Sequence, residues 1–104
     1  MDRRKMLEEF VAQNPADSFA RYGLALEMAN GGETEEATAQ FQKLIELNPD
    51  YTAAYQMWAQ TLIKTGHHED ARPVLEKGIA SAKRTGNQHA EREMQGLMDE
   101  VEIG

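Results

Sequence analysis

The chain has 104 residues, no cysteine and a formal net charge of −7, with basic residues scattered among more numerous acidic ones. The absence of cysteine excludes disulfide bonds and thiolate metal sites and allows a reducing compartment. Nucleic-acid binding depends mainly on neutralising phosphates with Lys and Arg, so we expect no nucleic-acid partner for a chain of this charge.

The amino-terminal segment is charged and lacks the apolar stretch of a secretion signal. No apolar run reaches the length that spans a bilayer. We therefore expect no membrane partner and a cytoplasmic location. The short basic clusters at 3–5 and 83–84 are interpreted as solvated helix ends rather than phosphate sites.

A first helix is predicted over residues 2–13. Leu7, Phe10 and Val11 recur there at the three- and four-residue spacing of one helix face. The same spacing returns in the third predicted helix, so this segment is interpreted as the second half of a helical hairpin whose first half is missing.

The second and third helices are predicted to form a hairpin. Asn14 is expected to cap the second helix, over 16–30, with Pro15 at the first helical position, where its missing N–H costs nothing. Gly32 is expected to end this helix in the left-handed conformation that glycine adopts easily. The third helix, over 34–47, opens with two glutamates, whose charge the helix dipole favours in a first turn.

The pattern of this hairpin returns 34 residues later. An ungapped shift by 34 gives nine identities over 36 positions, where about two are expected from ordinary composition. We therefore predict a fourth and a fifth helix over 50–65 and 69–84. Asn48 and Pro49 are expected to open the fourth helix, and Gly66 is expected to end it.

A sixth helix is predicted over 88–102. Its apolar stripe consists of Ala90, Met94, Leu97, Met98 and Val101. The repeat pattern fails in this segment, which is typical of the terminal unit of an array of stacked repeats. The predicted organisation is a single domain over 1–104, with a half repeat at 2–15, full repeats at 18–51 and 52–85, and a capping helix at 87–102.

Helix pairs with this period resemble the tetratricopeptide repeat (TPR), whose pattern is W-x2-L-G-x2-Y, then A-x3-F, then P. The first copy reads Arg21-x2-Leu24-Ala25-x2-Met28, Ala37-x3-Phe41 and Pro49. The second copy reads Tyr55-x2-Trp58-Ala59-x2-Leu62 and Ala71-x3-Leu75, with Lys83 in place of the proline. The resemblance implies an all-α fold, a right-handed superhelix of helix-turn-helix pairs with about six helices.

Three departures from what the family pattern favours bear on the packing of the helices. Arg21 replaces the usual aromatic residue, although its stem can lie along apolar surface. Gly78 replaces a core residue, and we expect it to loosen the end of the second copy. Pro73 is expected in the first turn or so of its helix, where proline is tolerated.

Members of this family are mostly protein-interaction modules that hold a peptide or a partner helix in a concave groove. The resemblance implies that the groove is lined by Phe19, Tyr22, Leu26, Asn30, Gln56, Met57, Gln60, Ile63 and Lys64, with the small residues Gly23, Ala29 and Ala53 between them. Tyrosine offers contact area and a polar group, and methionine adapts to varied partners. A protein or peptide partner is therefore expected.

One branch of the family holds the terminal carboxylate of heat-shock chaperones with lysine and asparagine side chains. The corresponding positions of this chain hold Tyr22, Leu26 and Met57. None of these side chains pairs with a carboxylate as a cation does, so chaperone docking of that kind is not expected.

An enzyme or a metal protein is the first rival interpretation. The sequence has no nucleophile elbow, no phosphate-binding glycine loop and no zinc-protease motif. His67, His68, Glu69 and Asp70 are adjacent, and adjacent residues on a turn rarely converge on one ion. We therefore expect no catalytic residue, no metal and no cofactor.

Self-assembly is the second rival interpretation. An array with open edges can bury them against a copy of itself, typically as a twofold homodimer. A scaffold of this kind would have no separate peptide ligand. The sixth helix offers a further alternative, in which Met94, Leu97 and Met98 bury Met57 and Ile63 as core.

Overall fold

A computed structural model describes residues 2–103 of the chain. Within this range the regular structure is entirely α-helical, in six helices. The helices are α1 (Arg3–Gln13), α2 (Ser18–Asn30), α3 (Thr34–Leu47), α4 (Thr52–Lys64), α5 (His68–Thr85) and α6 (Gln88–Ile103). The all-α prediction is confirmed, and each predicted helix end lies within two residues of the observed one.

The helices form two compact units, one ending at Asn48 and the other beginning at Pro49. In the first unit α2 packs against both α1 and α3. In the second unit α5 packs against both α4 and α6, and α6 also contacts α4. The first and last residues of the predicted domain, 1 and 104, lie outside the described residues.

The core of the first unit lies mainly between α2 and α3. Leu24 and Met28 are buried on α2, and Phe41 and Leu44 have no exposed surface on α3. Burial of side chains this large stabilises the fold by about 1.5–3 kcal/mol each. Ala37 is also fully buried, and its small side chain lets the two helices approach closely.

Arg21 joins this core although it carries a charge. Its side chain is 7% exposed. Nη2 donates a hydrogen bond to the carbonyl oxygen of Pro15 at 2.9 Å, and Nη1 donates to Oε1 of Gln40 at 2.8 Å. The arginine therefore occupies the usual aromatic position by packing its stem and bonding its head group.

Gly78 corrects one prediction in the second unit. A Cβ atom at this buried position would lie 2.6 Å from Tyr55 Cβ on α4 and 2.6 Å from Met94 Sδ on α6. The missing side chain therefore permits close packing of α5 against both neighbours. The expectation that Gly78 loosens the second copy was wrong, because its neighbours fill the space that a side chain would take.

Left-handed glycines end α2 and α4. Gly32 has φ = 80° and Gly66 has φ = 84°, a region that side-chain-bearing residues rarely adopt. The residue after each glycine then donates a hydrogen bond from its N–H to a carbonyl oxygen of the preceding helix. After Gly32, the N–H of Glu33 donates to the carbonyl oxygen of Met28 at 2.9 Å. These bonds satisfy carbonyl groups that the helix end would otherwise leave open, so the predicted role of both glycines is confirmed.

The predicted helix caps at Asn14 and Asn48 were wrong. Asp17 caps α2, where its Oδ1 accepts a hydrogen bond from the N–H of Ala20 at 3.0 Å. Asn14 instead follows α1, and its Nδ2 donates to the carbonyl oxygen of Phe10 at 3.0 Å. Asn48 likewise follows α3. The Asn-Pro pairs therefore lie in the turns between helices, because α2 and α4 begin a few residues later.

Pro73 lies deeper in its helix than expected. Since α5 begins at His68, this proline stands in the second turn, and the helix continues to Thr85. Proline removes one N–H from the helical ladder. Because Pro73 is exposed, water can donate a hydrogen bond to the helix carbonyl that would otherwise accept one from the missing N–H.

Candidate functional site

The predicted lining residues of the first unit lie on one side of α2. Their spacing of three and four residues places them along a single stripe of the helix. This stripe, called the α2 face below, consists of Phe19, Tyr22, Leu26 and Asn30. Phe19 is 78% exposed, Asn30 is exposed, and Tyr22 and Leu26 are half-buried. The α2 face therefore leaves a large aromatic surface accessible.

Helix α1 borders the α2 face at Gly23. A Cβ atom added to this glycine would lie 3.6 Å from Leu7 Cδ2, an ordinary contact distance. Gly23, which was also predicted in the lining, is half-buried. The position is therefore partly covered by α1, and a methyl group fits there without displacing its neighbour.

Ion pairs link the start of α1 to the end of α2 and the turn that follows. Arg3 Nε lies 3.2 Å from Oε2 of Glu27, and Arg4 Nη1 bonds both carboxylate oxygens of Glu33. The hydrogen bond to Glu33 raises the pKa of Arg4 above its ordinary value. Arg4 was expected at a solvated helix end, but it is half-buried and serves to hold two elements together.

The predicted lining residues of the second unit lie on one side of α4. This stripe, called the α4 face below, consists of Gln56, Met57, Gln60, Ile63 and Lys64. Lys64 is exposed and the other four residues are half-buried. The alternative in which Met57 and Ile63 are core is therefore wrong, because both keep part of their surface accessible.

Helix α6 contacts α4, and it brings to the α4 face a residue, Glu93, that the sequence did not indicate. Gln56 Nε2 donates a hydrogen bond to Oε1 of Glu93 at 3.2 Å. The same carboxylate oxygen lies 3.0 Å from Nε2 of His89. Glu93 thus places a negative charge beside Gln56. The repeat pattern could not reveal this contact, since α6 departs from the pattern.

Tyr55 lies on the buried side of α4 and holds the turn before that helix. Its hydroxyl donates a hydrogen bond to the carbonyl oxygen of Pro49 at 2.6 Å. Burial raises the pKa of this phenol above its ordinary value, Arg84 acts in the opposite direction, and Asp50 raises it further. The neutral phenol is therefore the form that the fold favours.

A shallow depression of about 420 Å³ lies at the start of α4. It is lined by Asp50, Tyr51, Thr52, Ala53, Thr85 and Asn87. Thr52 Oγ1 lies 2.8 Å from Oγ of the buried Ser81, and Arg84 Nη2 lies 2.8 Å from Oδ1 of Asp50. These polar groups already have partners within the unit, and we assign the depression no ligand.

Residues 2–103 contain no candidate metal site and no helix suited to span a membrane. In that part of the chain no three His, Cys, Asp or Glu side chains come together as a metal site would require. His67 Nδ1 instead lies 3.0 Å from Oγ1 of Thr65 within its own turn. None of the described helices combines the length and the apolar character needed to cross a membrane.

The sequence matches a model of the tetratricopeptide-repeat family over residues 28–91. A TPR repeat-containing protein of Pseudomonas aeruginosa is 30% identical over 88 residues, which cover 85% of this chain and 84% of that protein. The matched range includes the hairpin formed by α4 and α5.

Two solved structures share the all-α fold of this chain. The solution structure of a tetratricopeptide repeat domain protein from Salinibacter ruber has a TM-score of 0.76 at 31% identity, and the match covers 85% of this chain and 89% of that chain. The TPR2B domain of yeast Sti1, solved in a pHsp70 complex, has a TM-score of 0.87, with 96% and 80% of the two chains covered. At 23% identity, the Sti1 match concerns the fold alone.

Proposed function

This chain belongs to the tetratricopeptide-repeat family, and we propose that it binds a peptide or a helix of another protein with its α2 face and its α4 face. Domains of this family are generally protein–protein interaction modules and typically have no catalytic activity. The proposed contact residues are those of the two faces defined above, with Phe19, Tyr22 and Met57 as the main apolar contacts.

The exposure of Phe19 is the observation that supports this proposal most. An aromatic side chain that is 78% exposed leaves apolar surface in water, and such surface is a common contact point for partners. Tyr22 lies three residues further along the same side of α2. Together they offer the rigid aromatic area that binding surfaces favour.

The chemistry of the faces favours a largely apolar ligand. The α2 face combines two aromatic side chains with Leu26 and one amide, and the α4 face adds Met57 and Ile63 with two amides and one lysine. The family resemblance implies that Tyr22, Leu26 and Met57 stand where chaperone-binding members have the lysine and asparagine side chains that hold a terminal carboxylate. We therefore propose a ligand that is recognised by apolar side chains rather than by a terminal carboxylate.

Paired substitutions test each face separately. One double variant carries Phe19→Ala with Tyr22→Ala, and the other carries Met57→Ala with Ile63→Ala. In quantitative affinity capture from a native extract, we expect both double variants to retain less of the same set of proteins than the wild-type chain does. A partner identified in this way is then purified and titrated by calorimetry. Removing two apolar contacts should weaken its binding about tenfold or more.

Leu47→Ala is the matched control. Leu47 is an exposed apolar residue near the end of α3 that belongs to neither face, so its loss should leave partner binding unchanged. Helical circular dichroism must be retained in every variant. Survival of all captured partners in both paired variants would contradict the proposal.

A homodimeric scaffold is the second candidate function. Phe19 leaves apolar surface exposed on the α2 face, and apolar surface of this kind favours burial against a partner, which here would be a second copy of the chain. The scaffold hypothesis requires a stable dimer in which the α2 face is covered. Light scattering, combined with protection of Tyr22 from chemical modification, distinguishes such a dimer from a monomer that binds another protein.

A further inference from the structure

The outer side of α1 carries apolar side chains that the described elements cover only in part. Among residues 2–103, α1 packs against α2 alone, with Val11 buried and Leu7 half-buried. Met6 and Phe10 lie away from that contact and are 51% and 48% exposed. Since they stand four residues apart, they are neighbours on the helix surface.

The equivalent position of the next repeat shows how such an apolar residue is normally buried. Phe10 corresponds to Leu44 of α3 under the 34-residue shift. Leu44 has no exposed surface, and its helix α3 packs against α2 within the first unit. Phe10 therefore occupies a core position of the repeat that no helix among residues 2–103 fully buries, and a neighbour with apolar side chains would suit it.

The charged residues of α1 indicate which kind of neighbour fits this surface. Lys5 and Glu9 are both exposed and stand four residues apart, on the same flank of the stripe formed by Met6 and Phe10. When two copies of a helix pack antiparallel, residues on the same flank face each other across the contact. Lys5 of one copy then lies opposite Glu9 of the other, and the twofold axis creates this pair twice.

We infer that a second copy of this chain packs its α1 antiparallel against α1, with Met6 and Phe10 in the centre and two Lys5–Glu9 pairs at the edges. The contact uses neither the α2 face nor the α4 face, so it is independent of the proposed partner binding. Helix α1 has 11 residues and is about 16 Å long. One helix face of that length buries less than the roughly 1,200 Å² of a standard interface, so the dimer is weak and depends on concentration.

Sedimentation equilibrium of the full chain over a wide concentration range tests this contact. The wild-type chain should dimerise reversibly. Lys5→Glu and Glu9→Lys should each weaken the homodimer about tenfold, since two like-charged pairs replace two opposite ones. An equimolar mixture of the two variants should restore the dimer as a heterodimer, because the two acidic residues of one variant then face the two lysines of the other.

The apolar centre has its own control. Phe10→Glu should abolish the dimer, whereas Ile103→Glu, at an 88% exposed apolar residue on α6, should leave it unchanged. Phe19→Ala with Tyr22→Ala should also leave it unchanged, which separates this contact from the proposed partner binding. A chain that stays monomeric at every concentration overturns the inference. A dimer that survives either charge reversal overturns it too, and so does a mixture that fails to restore association.

Discussion

Arg21 and Tyr55 perform the same structural task in the two repeats. The two residues are 34 positions apart, and each donates a hydrogen bond to the carbonyl oxygen of the proline six residues before it. The distances are 2.9 Å from Arg21 Nη2 to Pro15 and 2.6 Å from the Tyr55 hydroxyl to Pro49. A guanidinium and a phenol are chemically unlike, but both combine a long apolar body with a donor at the tip. The turn before each helix is therefore held in the same way.

We expect tyrosine to replace Arg21 with little loss of stability. Arg21→Ala should lower the free energy of unfolding by about 2–3 kcal/mol, because it removes buried packing and leaves the bonding groups without partners. Arg21→Tyr should recover most of that loss by donating to the carbonyl of Pro15. Urea denaturation followed by circular dichroism measures both variants. Equal destabilisation by the two changes would show that the guanidinium itself is required.

Alkaline pH should reveal the burial of Tyr55. Its pKa is raised in the folded state, chiefly by burial, so folding favours the neutral phenol. The resulting stability is complete below the ordinary tyrosine pKa of about 10 and is lost as the pH rises through the higher folded value. Wild type should therefore lose stability more steeply above about pH 10 than Tyr55→Phe does. Parallel curves for the two proteins, measured by urea denaturation at increasing pH, would contradict this assignment.

Two helical glycines should respond oppositely to alanine. Gly78→Ala should destabilise the chain by about 1–3 kcal/mol, because the added methyl overlaps Cβ of Tyr55, an atom held close to the backbone. Gly96→Ala is the matched control, since a Cβ there meets nothing within 4 Å. It should stabilise α6 by about 0.5–1 kcal/mol. Thermal melts of both variants provide the comparison, and a neutral Gly78→Ala would indicate that the three helices separate easily.

The cap of α2 can be assigned by comparing two substitutions. Asp17→Ala should destabilise the chain by about 1 kcal/mol, because the N–H of Ala20 loses its acceptor. Asn14→Ala should have the smaller effect, since Asn14 is exposed and its side chain bonds only the end of α1. The free energy of unfolding of each variant is the measurement. The reverse order of effects would restore Asn14 as the cap.

The two faces of the candidate site were predicted from helical periodicity and the family resemblance. Their accessibility could not be predicted in this way, because exposure depends on which neighbours cover each helix. Phe19 is largely exposed, whereas Gly23 is partly covered by Leu7 of α1. The contact between Gln56 and Glu93 joins residues 37 positions apart, and α6 lacks the repeat pattern that would have aligned them.

The six helices and the glycine turns that end α2 and α4 were determined by the sequence alone, because apolar spacing and left-handed glycines such as Gly32 act over a few neighbouring residues. Only the tertiary structure decided the role of Gly78 and the partners of Arg21, since both depend on atoms that are distant in sequence and close in space. The tertiary structure also decided the cap of α2, because Asn14 and Asp17 are both suitable caps and the packed position of the helix selects between them. Local patterns therefore defined the elements of this repeat protein, and close packing between helices defined how its individual side chains are used.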